Sequence, residues 1–356
     1  MYRLPFWRKK PSWDRRLAQS IFWTAAVLMS AVGLLTALLV TASLVIDALT
    51  PKPAEVIYGA TFSPPYARSL GIDWHAAYTA MLDDLKMREV RIPVYWEEVE
   101  PQEGVYDYAD VDWEVSEAAK RGAAVTLAVG LKVPRWPECH IPDWAASWPT
   151  DRLHAGMVGL IDRTIRRYKD ERAVVRWQIE NEPFLPFGIC PKPDAAFLKS
   201  EVAAAHALDR RPVLIQDAGE FSTWQPTARL ADELGVSLYR IVWAKYLGYV
   251  RWPGLGLFYQ LRMLLARRYV GEVILTELQA EPWTTQDIVK MPLAEQLAQM
   301  NPAELAKNIQ FAREIGFGHV WLWGVEWWYW LKVAEGHPEV WEYMRQVVAG
   351  TASFGP

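Results

Sequence analysis

The sequence predicts an α/β protein: a (β/α)8 TIM barrel preceded by a single transmembrane helix. Strand-like apolar runs and helix-like segments alternate eight times after residue 55, and a barrel of this type usually needs about 250 residues plus insertions. No G-x-G-x-x-G turn follows the first strand, although a doubly wound open sheet normally holds a dinucleotide there. A long uncharged stretch precedes the whole alternation.

That uncharged stretch predicts a membrane anchor. It runs from Ile21 to Ile46, which exceeds the roughly 20 residues that cross a bilayer. A cleaved signal peptide is the competing interpretation, but its apolar core would be only about 7–15 residues long. The tail at 1–20 carries Arg3, Arg8, Lys9, Lys10, Arg15 and Arg16 against the single acid Asp14. Because positive flanks stay in the cytoplasm, we expect a single-pass anchor in the cell membrane, a linker at 47–55 and an extracytoplasmic domain at 56–350.

The barrel strands are short runs rich in β-branched and aromatic residues. In chain order they are predicted at Val56–Phe62, Val90–Trp96, Ala123–Val129, a fourth run that begins at Val174 and is stopped by Asn181-Glu182-Pro183, Val213–Asp217, Val236–Trp243, Val273–Leu278 and His319–Trp323. The helices between them are predicted at Trp74–Met87, Ala109–Arg121, Leu153–Tyr168, Asp194–Leu208, Thr227–Leu234, Leu257–Arg268, Ala303–Ile315 and Glu339–Val348. Two aromatic-rich segments, 132–149 and 245–257, are expected to be long loops at the catalytic face.

Composition excludes some partners and leaves others open. A formal net charge of −4 and a pI near 5.9 give no basic footprint for nucleic acid. The 20 tryptophans suit either core packing or flat surfaces for sugar rings. Cys139 and Cys190 can pair in an oxidising compartment or stay reduced, and we favour a disulfide because both follow strands at the same end of the barrel. Neither a metal nor a cofactor is expected, since Cys139 and His140 lack companion ligands at a metal-site spacing.

Polar residues stand at the carboxyl ends of the predicted strands, where the active site of such a barrel lies. Two of them are glutamates, Glu182 after the fourth strand and Glu277 in the seventh. Retaining glycoside hydrolysis needs two carboxyl groups, one to protonate the leaving oxygen and one to attack the sugar. The other polar residues near strand ends are Arg91, Asn181, Asp217, Tyr239 and Glu326.

Spaced motifs over roughly 59–356 resemble the clan-A retaining glycoside hydrolases, which include cellulase-like, mannanase-like and xylanase-like families. They are Asn181-Glu182-Pro183, Thr276-Glu277-Leu278, the tryptophan-rich eighth strand, and the W-x-x-x-E-P-x-x-G-x-Y-D pattern at 96–107. The resemblance implies that Glu182 is the general acid/base and Glu277 the nucleophile. It also implies that Asn181 binds the sugar 2-hydroxyl, that Arg91 and Tyr239 contact the nucleophile, and that Trp321 or Trp323 floors the −1 subsite.

Several of these residues have alternative roles. Glu281, also followed by proline, is a rival nucleophile, and Glu180 could contact either substrate or a structural arginine. Asp217 suits a helix cap as well as a sugar contact, and Glu326 could bind a sugar hydroxyl. Arg91 could also neutralise buried carboxylates, which is compatible with supporting the nucleophile.

The favoured function is therefore a retaining glycoside hydrolase that acts on a β-linked oligo- or polysaccharide outside the cytoplasmic membrane, with the bilayer contacted through the N-terminal helix. A transglycosylase with the same site is an alternative. A non-catalytic glycan-binding barrel is another, although it has no need of two opposed carboxylates. The sequence leaves open the sugar, the linkage and the choice between endo and exo action.

Overall fold

The computed structural model describes residues 13–252 and 256–352, so residues 1–12 of the basic tail lie outside the described residues. The chain divides into two units after Thr50. The first contains one helix, α1 (Trp13–Leu49). Its segment Arg16–Leu49 is long and apolar enough to cross a membrane by length and composition, a test that an N-terminal signal sequence also passes.

The second unit is built on a closed barrel of eight parallel strands, which confirms the predicted fold class. The strands of the chain are β1 (Ile57–Thr61), β2 (Glu89–Pro93), β3 (Ala124–Val129), β4 (Val174–Asn181), β5 (Val213–Asp217), β6 (Glu233–Leu238), β7 (Ile241–Ala244), β8 (Gly248–Arg251), β9 (Glu272–Gln279) and β10 (His319–Trp323). The barrel order is β1-β10-β9-β6-β5-β4-β3-β2, and β7 and β8 form a separate antiparallel hairpin.

Helices surround the barrel and cover its outer face. They are α2 (Pro64–Ser69), α3 (Trp74–Asp83), α4 (Trp96–Val99), α5 (Ala109–Lys120), α6 (Thr150–Tyr168), α7 (Ala195–Leu208), α8 (Gln225–Ala228), α9 (Gly256–Ala266), α10 (Leu293–Gln299), α11 (Pro302–Ile315), α12 (Val325–Val333) and α13 (Glu339–Val348). Short 3-10 turns lie at Asp143–Ala145 and Ile288–Lys290.

Capping residues set the starts of several helices. The side chain of Asp194 accepts hydrogen bonds from the first backbone N–H groups of α7, and Asn301 does the same for α11. Pro302 begins α11 and Gly316 ends it in the left-handed conformation, as the usual proline-to-glycine asymmetry of helices requires. These signals fix where α7 begins and where α11 begins and ends.

The sixth barrel unit differs from the prediction. The expected strand Val236–Trp243 was wrong at both ends: the barrel strand is β6 (Glu233–Leu238), and the last three residues of the expected strand belong to the hairpin strand β7. The expected helix Thr227–Leu234 is reduced to the single turn α8. Glu233 and Leu234 pair with β5 and with β9, because pairing with two neighbouring strands outweighs the local pattern of a short apolar run. The expected loop 245–257 instead contains β8, and its residues 253–255 lie outside the described residues.

The barrel interior is filled with side chains in layers. Leu214, Ile274 and Trp321 form one fully buried apolar cluster. Below it, towards the amino ends of the strands, Glu89 accepts hydrogen bonds from the indole Nε1 of Trp321 at 2.7 Å and from Nδ1 of His319 at 2.9 Å. Polar side chains of the site described next fill the opposite end.

Candidate active site

Arg91 and Tyr239 hold the carboxylate of Glu277 from two sides. Nη2 of Arg91, on β2, lies 2.8 Å from Oε1 of Glu277, on β9. The hydroxyl of Tyr239, just after β6, donates to Oε2 at 2.9 Å. Arg91 and Glu277 are both buried, so this ion pair is shielded from water and fixes the orientation of the carboxylate.

Arg91 also makes several contacts besides the ion pair. Its Nε donates to Oγ1 of Thr61 at 2.8 Å. Its Nη1 lies 3.3 Å from Oδ1 of Asn181 and hydrogen-bonds to Oε1 of Gln216. Because a guanidinium has five donors in a rigid fork, these contacts hold one arginine between strands β1, β4, β5 and β9. Arg91 therefore neutralises a buried carboxylate and orders the floor of the site at the same time.

Glu182 has a different environment from Glu277. Its Oε1 accepts a hydrogen bond from Oγ of Ser237 at 2.8 Å, and its backbone N–H donates to the carbonyl of Gln216 at 2.9 Å. Burial and then the charge of Glu277 raise the pKa of Glu182 to about 7. Two carboxyl groups whose environments differ in this way are the pattern expected of an acid and a nucleophile.

The end of β4 is irregular, and this separates Glu180 from Glu182. The register of β4 against β5 shifts between Gln178 and Asn181, and Glu180 and Glu182 have φ of 62° and 47°, a left-handed conformation that costs non-glycine residues about 1–3 kcal/mol. The Glu180 carboxylate accepts from the backbone N–H groups of Leu131 and Lys132 at 2.5 and 3.0 Å. Glu180 therefore stabilises the loop after β3, whereas the carboxyl group of Glu182 hydrogen-bonds to Ser237.

Close approach of the chain to Glu180 explains the glycine that follows the third barrel strand. A Cβ on Gly130 would lie 2.6 Å from Oε1 of Glu180, so no side chain fits there without displacing the carboxylate. Behind it, the carboxyl group of Glu201 on α7 is fully buried and receives no hydrogen bond from a donor in the described part of the chain. Burial and the charge of Glu180 raise the pKa of Glu201 well above its ordinary value, which favours a proton shared by the pair.

The loop after β3 brings three ionisable residues that the sequence did not single out. Nζ of Lys132 donates to the backbone carbonyls of Glu182 and Leu185, at 3.2 and 3.1 Å. Glu138 is buried close enough to Glu182 for that charge, after burial, to raise the pKa of Glu138 well above its ordinary value. The third residue is Arg135. The sequence feature that could have identified these three residues is their position in a loop at the catalytic face.

Arg135 neutralises the rival nucleophile. Its guanidinium hydrogen-bonds to Oε1 of Glu281 and lies 2.9 Å from Oε2 of Glu326. It is also stacked over the rings of Tyr66 at 3.8 Å and Trp323 at 4.2 Å. Glu281 is thus part of a buried ion cluster with Arg135, whereas Glu277 is the carboxylate held by Arg91 and Tyr239.

The other predicted site residues divide into those near the catalytic pair and those away from it. Trp323 lies beside Arg91, whose guanidinium carbon is 5.9 Å from its ring centroid. Trp321 lies deeper, with its ring in the fully buried cluster with Leu214 and its Nε1 bonded to Glu89, so it is not part of this site. Glu326 has no exposed surface and accepts from the backbone N–H of Ser63 at 2.7 Å, which excludes a direct sugar contact in this arrangement.

Asp217, at the end of β5, holds its own loop together. Its Oδ2 accepts from Ser222 at 2.9 Å and from Thr227 at 2.6 Å, and its Oδ1 accepts from the backbone N–H of Ala218 at 2.8 Å. These contacts use both carboxylate oxygens within the segment that leads into α8. Of the two roles considered for Asp217, the structure therefore shows the one that organises the loop.

Cys139 and Cys190 form a disulfide, which joins the loop after β3 to the loop after β4. The backbone N–H of Ile189 also donates to the carbonyl of Pro137 at 3.0 Å. Gly188 has φ of 93°, and a Cβ there would lie 2.6 Å from Cβ of Glu138. The two loops that carry Glu138 and Glu182 are therefore clamped to each other at the mouth of the barrel.

No protein-family model matches the chain. Among solved structures, a GH5_18 protein from Bifidobacterium longum subsp. longum ATCC 55813 has a TM-score of 0.54 at 16% identity, over 76% of this chain and 70% of its own. A glycosylated family 10 endo-β-1,4-xylanase from Gloeophyllum trabeum has a TM-score of 0.55 at 15% identity, over 83% of this chain and 96% of its own. GH5_18 from Streptomyces cattleya, in complex with GlcNAc, has a TM-score of 0.51 at 15% identity, over 76% and 70%. The chain thus shares its (β/α)8 barrel with glycoside hydrolases.

Proposed function

We propose that this chain is a retaining glycoside hydrolase that cleaves β-linked glycans by double displacement, with Glu182 as general acid/base and Glu277 as nucleophile. The observation that carries the proposal is the contrast between the two carboxyl groups. Glu277 is ion-paired with Arg91 at 2.8 Å, whereas burial and the charge of Glu277 raise the pKa of Glu182 to about 7. One group is thereby prepared to attack and the other to donate a proton near neutral pH.

In the first step, the protonated carboxyl group of Glu182 donates its proton to the glycosidic oxygen as the bond from that oxygen to the anomeric carbon breaks. An oxygen of Glu277 forms a bond to the anomeric carbon, which gives a glycosyl ester and releases the leaving sugar as an alcohol. Arg91 and Tyr239 each donate to one Glu277 oxygen. They hold the carboxylate in a fixed orientation, and such preorganisation is a large part of catalysis.

In the second step, Glu182 is ionised and takes a proton from a water molecule. The water oxygen attacks the anomeric carbon and the bond to Glu277 breaks, so that the product keeps the original configuration. Ser237 supports this step because its hydrogen bond to Oε1 of Glu182 at 2.8 Å stabilises the ionised form. Asn181, whose Oδ1 is 3.3 Å from Nη1 of Arg91, is the residue proposed to bind the sugar 2-hydroxyl.

We assign the enzyme to the outer side of the cytoplasmic membrane, held by α1. Two observations support this placement. The basic residues stand before the apolar helix, which favours a cytoplasmic N-terminus. The disulfide between Cys139 and Cys190 suits an oxidising compartment. Protease protection in sealed spheroplasts tests the topology, because a cytoplasmic barrel would survive added protease and would overturn this part of the proposal.

The activity is tested with the full chain in detergent micelles. Reducing-sugar release is measured on cello-, manno- and xylo-oligosaccharides and on Manb1-4GlcNAc, the ligand present in a GH5_18 structure. Glu182→Gln and Glu277→Gln should each lower turnover at least about a hundredfold while the protein still folds and binds. Glu281→Gln is the matched control, and NMR of the first-formed anomer checks retention of configuration.

The outcomes separate the alternatives. Undiminished turnover by Glu277→Gln together with loss in Glu281→Gln would transfer the nucleophile to Glu281. Oligosaccharide binding without turnover in the unaltered protein would favour a glycan-binding barrel. Transfer of the sugar to an added alcohol in place of water would identify a transglycosylase with the same two carboxyl groups.

A further inference from the structure

Three aromatic side chains continue outward from the catalytic pair, and we name Trp283, Phe187 and Trp136 the aromatic strip. The strip adjoins Tyr239, whose ring centroid is 5.6 Å from that of Trp283. Trp283 is followed by Phe187 at 6.1 Å, and Phe187 by Trp136 at 6.0 Å. Since the hydroxyl of Tyr239 also bonds to Glu277, the rings are connected to the proposed nucleophile by direct contacts.

The strip is not part of the hydrophobic core. Trp136 is 63% exposed and Phe187 is 38% exposed, although a large ring that packs the interior is normally buried. A single exposed aromatic side chain needs no explanation, but a contiguous exposed apolar surface marks a binding site. The rings come from three separate loops, those after β3, β4 and β9, so no single helix or strand pattern produces the surface.

The strip is also held in place. The disulfide between Cys139 and Cys190 joins the loop of Trp136 to the loop of Phe187. The hydrogen bond from Ile189 to Pro137 at 3.0 Å and the close approach of Gly188 to Glu138 reinforce this connection. A binding surface that is fixed before the ligand arrives loses less conformational entropy on binding.

We propose that the aromatic strip is a carbohydrate platform that binds further pyranose rings of a β-linked chain beyond the scissile bond. The flat C–H faces of β-linked pyranoses match the faces of aromatic rings, whose apolar surface is large and whose loss of side-chain freedom is small. The inference rests on the proposed function for the reaction, but it adds which side chains bind the sugar rings that lie beyond the cleaved bond. A substrate of one or two sugars would not extend along the strip.

The test measures binding in full-length Glu182→Gln protein, so that turnover does not consume the ligand. Dissociation constants are determined by calorimetry for cello-, manno- and xylo-oligosaccharides, from the disaccharide to the hexasaccharide. For the class of oligosaccharide that binds, affinity should rise with the number of sugar residues. Trp136→Ala and Phe187→Ala should each weaken binding of the hexasaccharide about tenfold and that of the disaccharide much less.

Two variants serve as controls. Trp136→Tyr keeps a flat ring and should retain most of the dependence on chain length. Tyr269→Ala removes an aromatic side chain that is 46% exposed but precedes β9, and therefore lies at the amino end of the barrel. It should leave every dissociation constant unchanged.

The test distinguishes failure of the proposed carbohydrate platform from failure of the proposed glycosidase activity. If the unaltered protein hydrolyses a glycan but Trp136→Ala and Phe187→Ala bind all lengths as the parent does, the strip is refuted and the glycosidase stands. If oligosaccharides bind with a strip-dependent preference for length but are never cleaved, the strip stands and the proposed activity fails. If none of the oligosaccharides of any class binds, the proposal that the aromatic strip binds sugar rings is overturned.

Discussion

Ser237 donates a hydrogen bond of 2.8 Å to Oε1 of Glu182, although it lies on β6 and Glu182 follows β4. In the barrel register Ser237 is also the partner of Glu277 on β9. The end of β6 therefore supplies a hydrogen bond to each carboxyl group of the proposed catalytic pair: Ser237 donates to Glu182, and Tyr239, two residues further on, donates to Glu277.

The first prediction concerns the dependence of activity on pH. Since Glu182 must be protonated to donate its proton and its pKa is raised to about 7, kcat/KM should fall as pH rises above about 7. The hydrogen bond from Ser237 favours the ionised form and lowers the pKa, so Ser237→Ala should move this decline up by roughly half to one pH unit. The measurement is a pH profile of kcat/KM on the best glycan. Ser200→Ala, an exposed serine of α7, should leave the profile unchanged, and a downward shift in Ser237→Ala would contradict the assignment.

The second prediction distinguishes the two tryptophans of β10. Trp321→Phe removes the donor to the buried Glu89, which should cost about 1–3 kcal/mol of unfolding free energy with little change in kcat. Trp323→Phe keeps a ring beside Arg135 and Arg91, so stability should change less while KM or kcat changes. Urea unfolding and steady-state kinetics on both variants give the comparison. An active-site defect in Trp321→Phe with normal stability would show that the deeper ring contacts substrate after all.

The sequence was informative about β10 but could not separate these two rings. Trp321 and Trp323 are two residues apart, so the period of a strand directs both into the barrel. Trp323 is nearer the carboxyl end of β10, but the depth that each ring reaches in the barrel depends on how β10 is registered against β9, where the register shifts between Val320 and Leu322. A local pattern contains no information about such a shift.

The candidate active site likewise contains some residues that the sequence could predict and others that it could not. Arg91, Asn181, Glu182 and Glu277 were predictable as neighbours because parallel strands bring all their carboxyl ends to one mouth. Arg135 and Glu138 were not, since their φ angles of 86° and 74° are values that non-glycine residues rarely adopt. The path of their loop is fixed by long-range contacts, among them the disulfide, that no neighbouring residue specifies.

The third prediction concerns the carboxyl pair of Glu180 and Glu201. Burial and the charge of Glu180 raise the pKa of Glu201 in the folded protein, so folding favours its protonated form. That stability is fully present below the unfolded pKa of about 4.3 and is lost as pH rises through the raised folded pKa. Between about pH 5 and pH 8, the unfolding free energy of Glu201→Gln should therefore increase relative to that of the parent by roughly 1–3 kcal/mol.

Urea unfolding at those two pH values measures this difference. Glu335→Gln, which removes an exposed carboxylate, is the control. Its unfolding free energy should change between the two pH values by the same amount as that of the parent. Equal losses of stability with pH in the parent and in Glu201→Gln would show that Glu201 does not hold its proton in the folded state.

The last prediction concerns the disulfide, which closes a loop across a sequence separation of 51. In the chain-entropy model a loop of this length stabilises the folded state by about 4 kcal/mol, so Cys139→Ser/Cys190→Ser should unfold at markedly lower urea. The same bond joins the loops of Lys132 and Glu182, so kcat should fall even at temperatures where the variant stays folded. Reductant should reproduce both effects in the parent and add nothing in the double variant. If reduced protein kept its full kcat, the hydrogen bonds of Lys132 to Glu182 and Leu185 would be sufficient by themselves to position the loop after β4.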